Sequence, residues 1–216
     1  MIEAVLFDFD GVIARTLPYH LHAWQIVLKP LNLRLKMSDI AVEEGARGRD
    51  IIKKIFKNKN ISMDDREIDE LYKQKRRIYQ ETAKSRMYPE VPEFFNRVRQ
   101  YVPRIALVTG AIYADIQRAV SDDLLANFDL IITSEEVVNA KPHPEPYLTA
   151  ARKLNITPRQ CLVIENAPLG IRAAKQAGMK VIALKTTIKN EQLLKEADYI
   201  VKGLMDIDLP ALLKDL

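Results

Sequence analysis

Residues 2–11 read IEAVLFDFDG, a mostly apolar, strand-forming run that ends on two carboxylates and a glycine. A strand with one wet face alternates apolar and polar residues. A run that stays apolar at successive positions suits a strand covered on both faces, as in a parallel sheet. Five further segments have the same texture: RIALVTG (104–110), FDLIITS (128–134), QCLVIEN (160–166), KVIALKT (180–186) and DYIVKG (198–203). Helical patterns lie between them. Pro92 stands where a first helical residue is expected, ahead of EFFNRVRQY, and PEPYLTAARKL (144–154) and PLGIRAAKQA (168–177) follow. Gly178 is placed to end the last of these. Strand–helix alternation predicts an α/β fold with a doubly wound, Rossmann-like parallel sheet.

Residues 15–86 break the alternation. YHLHAWQIVL (19–28), GRDIIKKIFKN (48–58) and DDREIDELYKQKRRIYQETAK (64–84) read as helices. In the last, Ile68, Leu71, Tyr72, Ile78 and Tyr79 share a face on which Lys75 is the polar member. Ser62, with Asp65 three residues on, is a variant of the capping box. The expected organisation is a core of residues 1–14 and 87–216, with a helical insert over 15–86 after the first strand.

Composition excludes several classes. The 216 residues are 48% hydrophobic and 29% charged, enough to bury a sizeable core and too apolar for a disordered chain. No apolar run approaches the ~20 residues of a membrane span. Asp8 and Asp10 interrupt the first apolar stretch and no basic leader precedes it, so neither a signal peptide nor a membrane partner is expected. The single cysteine, Cys161, offers no internal disulfide and no zinc site, which fits a reducing cytoplasm. The net charge of +4 is spread along the chain. The basic cluster Lys73, Lys75, Arg76 and Arg77 has no nucleic-acid motif or stacking aromatics beside it, so it reads as an exposed helix face and no nucleic-acid partner is expected.

An open α/β sheet binds ligands at the carboxyl ends of its strands. The polar residues expected there are Asp8 and Asp10, Thr109 and Gly110, Lys141, and Glu165 and Asn166. Asp8 and Asp10, two positions apart, can share one site. Gly11 permits a tight turn that brings backbone N–H groups toward an anion. Two crowded carboxylates resist joint ionisation unless a cation lies between them, and Mg2+ is a hard ion that takes carboxylate and phosphate oxygens.

FDFDGV, the hydroxyl of VTG, the Lys-Pro of AKPHPEPY and the acidic turn of VIENAPLG, in that order, resemble the four motifs of the haloacid dehalogenase superfamily. The insert resembles that superfamily's four-helix cap, and the nearest branch is that of β-phosphoglucomutase and phosphoglycolate phosphatase. The resemblance implies that Asp8 is a nucleophile accepting a phosphoryl group. Asp10 is then the general acid and later the base, with a pKa above that of Asp8. Thr109 and the Gly110 amide hold phosphate oxygens, with Gly11 alongside, and Lys141 neutralises charge on the phosphate and on Asp8. Mg2+ would lie on Asp8, Asp10, Glu165 and Asn166. Relatives commonly carry Glu-Asp where Glu165-Asn166 stands here, so Glu165, directly or through water, is expected to supply the missing charge; Asn166 is also a good cap for the next helix.

In the insert, Thr16, His20 and Trp24 match the start of the mutase cap, where the histidine orients the general acid. Arg49 and Lys75 are expected to reach the substrate, with Arg47 and Arg76 as competitors. Ala111, Ile112 and Tyr113 stand where the mutase has polar sugar contacts. The implied function is a Mg2+-dependent phosphatase acting on a small phosphorylated metabolite, of sugar phosphate or phosphoglycolate type, through an aspartyl phosphate. The alternatives are a phosphomutase, or a phosphate-binding module weakened at Asn166. A cytoplasmic monomer or homodimer is expected.

Overall fold

A computed structural model describes residues 1–215. In chain order the elements are β1 (Ala4–Phe7), β2 (Ala14–Arg15), α1 (Leu17–Leu28), α2 (Met37–Ala41), α3 (Gly48–Asn58), α4 (Asp65–Thr82), β3 (Arg86–Met87), α5 (Val91–Arg99), β4 (Arg104–Val108), α6 (Tyr113–Ala119), α7 (Asp122–Leu125), β5 (Leu130–Ile132), α8 (Glu145–Leu154), β6 (Cys161–Glu165), α9 (Pro168–Gln176), β7 (Lys180–Leu184), β8 (Tyr199–Val201) and α10 (Leu209–Asp215). Each of the six apolar segments becomes a strand of one sheet, in the order β5-β4-β1-β6-β7-β8. Every pairing in it is parallel.

The strands are apolar throughout because both faces are covered. Ala4 and Leu6 of β1 join Ala106, Val108, Val163 and Val181 in one core that includes residues of α8 and α9. Val5 and Phe7 point the other way, with Ile105, Leu107, Leu162 and Ile164, into a core that includes α5. Phe7 pairs with Leu107 on one side and Ile164 on the other. The carboxyl ends of the three central strands are therefore level, and the residues that follow them emerge together.

The chain enters and leaves its helical segment along one seam, where β2 and β3 pair antiparallel, Ala14 with Met87 and Arg15 with Arg86. Between them α4 packs on α1 and α3. Of the face read from sequence, Ile68, Lys75 and Tyr79 are buried.

Several local readings need correction. The cap of α4 is Asp64, not Ser62: its side chain accepts from Glu67 N at 2.8 Å while Glu67 reaches back to Asp64 N at 2.8 Å. Helix α5 begins at Val91, so Pro92 is its second residue. Asn166 does not cap α9, whose N-cap position is Ala167. The basic cluster divides: Lys73 and Arg77 are exposed, Lys75 is buried and Arg76 is half-buried. Helices α2, α6 and α7, of 5, 7 and 4 residues, carry too few periods to announce themselves in sequence. Among the described residues no helix is long and apolar enough to cross a membrane.

Candidate active site

Asp8 follows β1 directly, and its N–H donates to Ile164 O at 3.0 Å. Its carboxylate is buried. Lys141, from the loop after β5, donates to Asp8 Oδ1 at 2.6 Å, to Glu165 Oε1 at 2.7 Å and to Val108 O at 3.1 Å. Three donors meet three acceptors, so this ammonium has no proton left for a ligand. It neutralises Asp8 by contact and can act on a phosphate only through space. Burial disfavours its charge, but Asp8 and Glu165 outweigh that and hold its pKa well above the ordinary lysine value.

Glu165 is committed elsewhere than expected. Oε1 accepts from Lys141 and from the Tyr147 hydroxyl at 2.9 Å, and Oε2 accepts from the backbone N–H of Asn166 and Ala167 at 2.9 and 3.2 Å. The carboxylate is turned under α9, where a Cβ at Gly170 would lie 1.6 Å from Oε1. With both oxygens engaged there, Glu165 does not make up the charge missing at Asn166.

Thr109 extends β4, its N–H donating to Ile132 O at 2.9 Å. The hydroxyl oxygen accepts from Ala111 N at 3.0 Å. The hydroxyl proton makes no hydrogen bond to a described residue and is left to donate to an anion. Gly110 has the insert directly on top of it: a Cβ there would come within 2.9 Å of Gly45 O. Gly11, expected to offer its amide, instead spends that N–H on Ala14 O at 2.8 Å. Its value is conformational. It sits at φ +79°, and a Cβ would lie 2.2 Å from Asn166 Nδ2.

Asp10 accepts from the Thr16 hydroxyl. His20 Nε2 stands 3.8 Å from Asp10 Oδ1, an electrostatic approach rather than a formed hydrogen bond. Lys75 Nζ lies 2.8 Å from His20 Nδ1. An ammonium has no acceptor, so Nδ1 must accept and the neutral ring carries its proton on Nε2, toward Asp10. The ring stacks on Tyr79 with centroids 4.1 Å apart. Burial, and then the Lys75 charge, hold the His20 pKa below its ordinary value. Burial likewise pushes Lys75 down to about 8.

The acid–base order of the two aspartates is the reverse of that expected. Burial, then the charges of Glu165 and Asp10, push Asp8 up to about 8 against the pull of Lys141. For Asp10 burial also acts upward, but His20, Thr16 and Lys75 outweigh it and its pKa is lowered.

The turn between α2 and α3 supplies a carboxylate that sequence reading missed. Glu44 is buried, and its Oε2 accepts from Asn166 Nδ2 at 3.0 Å. Burial pushes its pKa well above the ordinary value, and Asp10, Asp8 and Glu165 add to this. Next to it, Arg47 Nη2 donates to Val137 O at 3.0 Å and Val138 O at 2.8 Å, fastening the insert to the core. Arg118 of α6 makes a second tie, to Gln80 O at 2.9 Å.

Between insert and sheet edge lies a cavity of about 280 Å³, bordered by Asp10 and Gly110 from the core and by Glu44, Trp24, Tyr72 and Tyr79 from the insert. Arg49 and Lys75 both line it, but Arg49 is held by Asp69 and Asp65. Arg76 lines it with no ion pair or hydrogen bond to any described residue. Asp115 of α6 also lines it, and its buried Oδ1 has no partner.

Among the described residues no three His, Cys, Asp or Glu side chains are close enough to hold a metal by themselves. Asn166 changes the count. Its Oδ1 is buried without a partner, as is Glu44 Oε1. When ionised, Asp8, Asp10, Glu44 and Glu165 outnumber Lys75 and Lys141 by two charges. A hard divalent cation, which binds through oxygen, fits that donor set.

A family description, haloacid dehalogenase-like hydrolase, matches residues 5–184. The phosphorylated carbohydrates phosphatase of Thermotoga maritima is 30% identical, over 92% of this chain and 93% of that protein. The β-phosphoglucomutase of Bacillus subtilis is 28% identical, over 98% and 94%. Among solved structures, a β-phosphoglucomutase from Clostridium difficile superimposes with a TM-score of 0.82 at 26% identity, covering 99% of this chain and 96% of that one.

Proposed function

This chain belongs to the haloacid dehalogenase-like hydrolases, a phosphohydrolase by family, and from that premise we propose that it is a Mg2+-dependent phosphatase of a small phosphorylated metabolite working through an aspartyl phosphate on Asp8. The observation that carries this reading is the buried Asp8 carboxylate: one oxygen is fixed by Lys141 at 2.6 Å and the other takes no hydrogen bond from any described residue. Such a group is held still and left free on the side where a phosphorus atom would approach.

Asp8, Asp10 and Asn166 would hold the cation. When bound, it offsets negative charge on the substrate phosphate and on the two aspartates, which lowers the Asp8 pKa so that Asp8 reacts as the carboxylate. The Thr109 hydroxyl and the Gly110 N–H donate to non-bridging oxygens. One Asp8 oxygen attacks phosphorus in line, the ester P–O bond breaks, and the leaving oxygen takes a proton from Asp10. Phosphate charge nearby raises the Asp10 pKa enough for it to carry that proton in the closed complex. Thr16 and His20 hold the Asp10 carboxyl in place. In the second step Asp10 takes a proton from water, the water oxygen attacks phosphorus, and the acyl phosphate bond breaks to return Asp8 and release inorganic phosphate. The insert, roofing the cavity, keeps bulk water away from the first step. We take residues 15–86 as this cap and residues 1–14 and 87–216 as the catalytic core.

The cavity suits a compact, hydroxylated substrate. Arg76 offers a free guanidinium for a second anionic group, and Asp115 offers an acceptor for a hydroxyl. Ala111 and Ile112 line the cavity where a mutase would carry polar sugar contacts, which favours hydrolysis. The likeness to β-phosphoglucomutases supports a second reading, phosphoryl return to a sugar hydroxyl. Both are tested by following inorganic phosphate from a panel of sugar phosphates and phosphoglycolate, with and without Mg2+. Mg2+-dependent release supports the phosphatase; isomerised sugar phosphate without release supports the mutase.

A further inference from the structure

The cation site proposed above lacks one negative charge, because an amide stands at position 166. Three observations place a substitute for it on the cap. First, Glu44 is 5% exposed and its Oε2 is the acceptor for Asn166 Nδ2 at 3.0 Å. Second, the other Nδ2 proton goes to Thr187 Oγ1 at 2.8 Å. The amide is thereby fixed with its nitrogen toward Glu44 and Thr187, and its oxygen cannot rotate to face either without losing both bonds. Third, Asn166 Oδ1 and Glu44 Oε1 are each buried without any partner. Buried acceptors left unpaired are costly and rare, and two from different chain segments beside the same carboxylates call for one shared occupant. Both are oxygens of the kind a hard cation takes.

Glu44 is brought to this place by the cap. The turn that carries it rests on the sheet edge, where Gly45 O meets Gly110, and Arg47 ties its far end to Val137 O and Val138 O. From these contacts we infer that Glu44 supplies to the bound divalent cation the carboxylate that Asn166 withholds, so that cation binding and cap closure are one coupled equilibrium. This inference rests on the metal-dependent reading above. Coupling is reciprocal: a substrate that closes the cap tightens the cation, and the cation tightens closure by the same factor.

Mn2+ is the probe, with affinity read from the electron paramagnetic resonance of the free ion and closure read from amide hydrogen exchange across residues 42–48. Glu44→Gln is expected to weaken Mn2+ by about tenfold or more. Adding Asn166→Asp to it returns the carboxylate to the core side and should restore affinity to the wild-type range. Mn2+ should protect residues 42–48 in the wild type but not in the double variant, whose cation no longer reaches the cap. Unchanged affinity in Glu44→Gln overturns the inference while leaving the metal-dependent reading intact, and so does undiminished protection in the double variant. A wild-type protein that binds no Mn2+ overturns both.

Discussion

Lys75 is an ammonium buried against aromatic rings, 5.6 Å from the centroid of Trp24 and 5.1 Å from that of Tyr79. Replacing it by methionine keeps the stem and removes the charge. Burial lowers the Lys75 pKa from 10.5 to about 8, and at 1.36 kcal/mol per pH unit this gap makes the charged form about 3 kcal/mol more costly in the folded protein. Below pH 8 the lysine is charged both folded and unfolded, and the full cost is present. Between about 8 and 10.5 the unfolded chain binds the extra proton, so wild-type stability gains from this group as pH rises. Methionine never pays that cost but leaves His20 Nδ1 without its donor, a loss of about 1 kcal/mol. The Lys75→Met protein should therefore be more stable than wild type by about 2 kcal/mol at pH 7, and the advantage should shrink by about 2–3 kcal/mol by pH 10. Urea unfolding of both proteins at pH 7, 8, 9 and 10 reads the difference, in which titrating groups that Lys75 does not influence cancel. Turnover should fall in the same variant, since His20 loses the contact that fixes its tautomer. A stability difference that stays flat across this range would refute the reasoning.

Asp8→Asn should fold normally and release no phosphate from any substrate, because an amide cannot serve as the nucleophile; residual turnover at the wild-type rate would remove the covalent step. Arg76→Ala should raise KM about tenfold or more with kcat little changed for a substrate bearing a second anionic group, as expected for uniform binding; an unchanged KM would take Arg76 out of substrate recognition. Gly170→Ala places a methyl 1.6 Å from Glu165 Oε1 and should destabilise by about 1–3 kcal/mol, seen as a lower Tm. A Tm equal to wild type would show that Glu165 is not wedged beneath α9.

The sheet was legible because its strands are buried on both faces, which leaves unbroken apolar runs such as AVLF and CLVIE. Asp8 and Thr109 were legible because they follow β1 and β4 directly, and Lys141 because its Lys-Pro lies in the loop after β5, and the topology brings all three to one edge. What could not be read depends on contacts between distant segments. Glu44 is one glutamate in a short turn, and nothing local separates it from a solvated one; its significance comes from Asn166, 122 positions away. Arg49 and Arg76 are both helix arginines of the insert, yet Asp69 and Asp65 claim the first and leave the second. For the α4 cap, Ser62–Asp65 and Asp64–Glu67 both fit the spacing, and sequence alone does not separate them. Glu67 wins since it reaches back to the Asp64 N–H.

Arg47 grips two main-chain oxygens, those of Val137 and Val138, and no side chain on that loop. Its hold therefore survives any substitution at those two positions that keeps the backbone path, and Val138, 77% exposed, has little else to constrain it. Drift there would be silent. Statistical covariation between cap and core would then be blind to this clasp, since only one of its two halves is written in side chains.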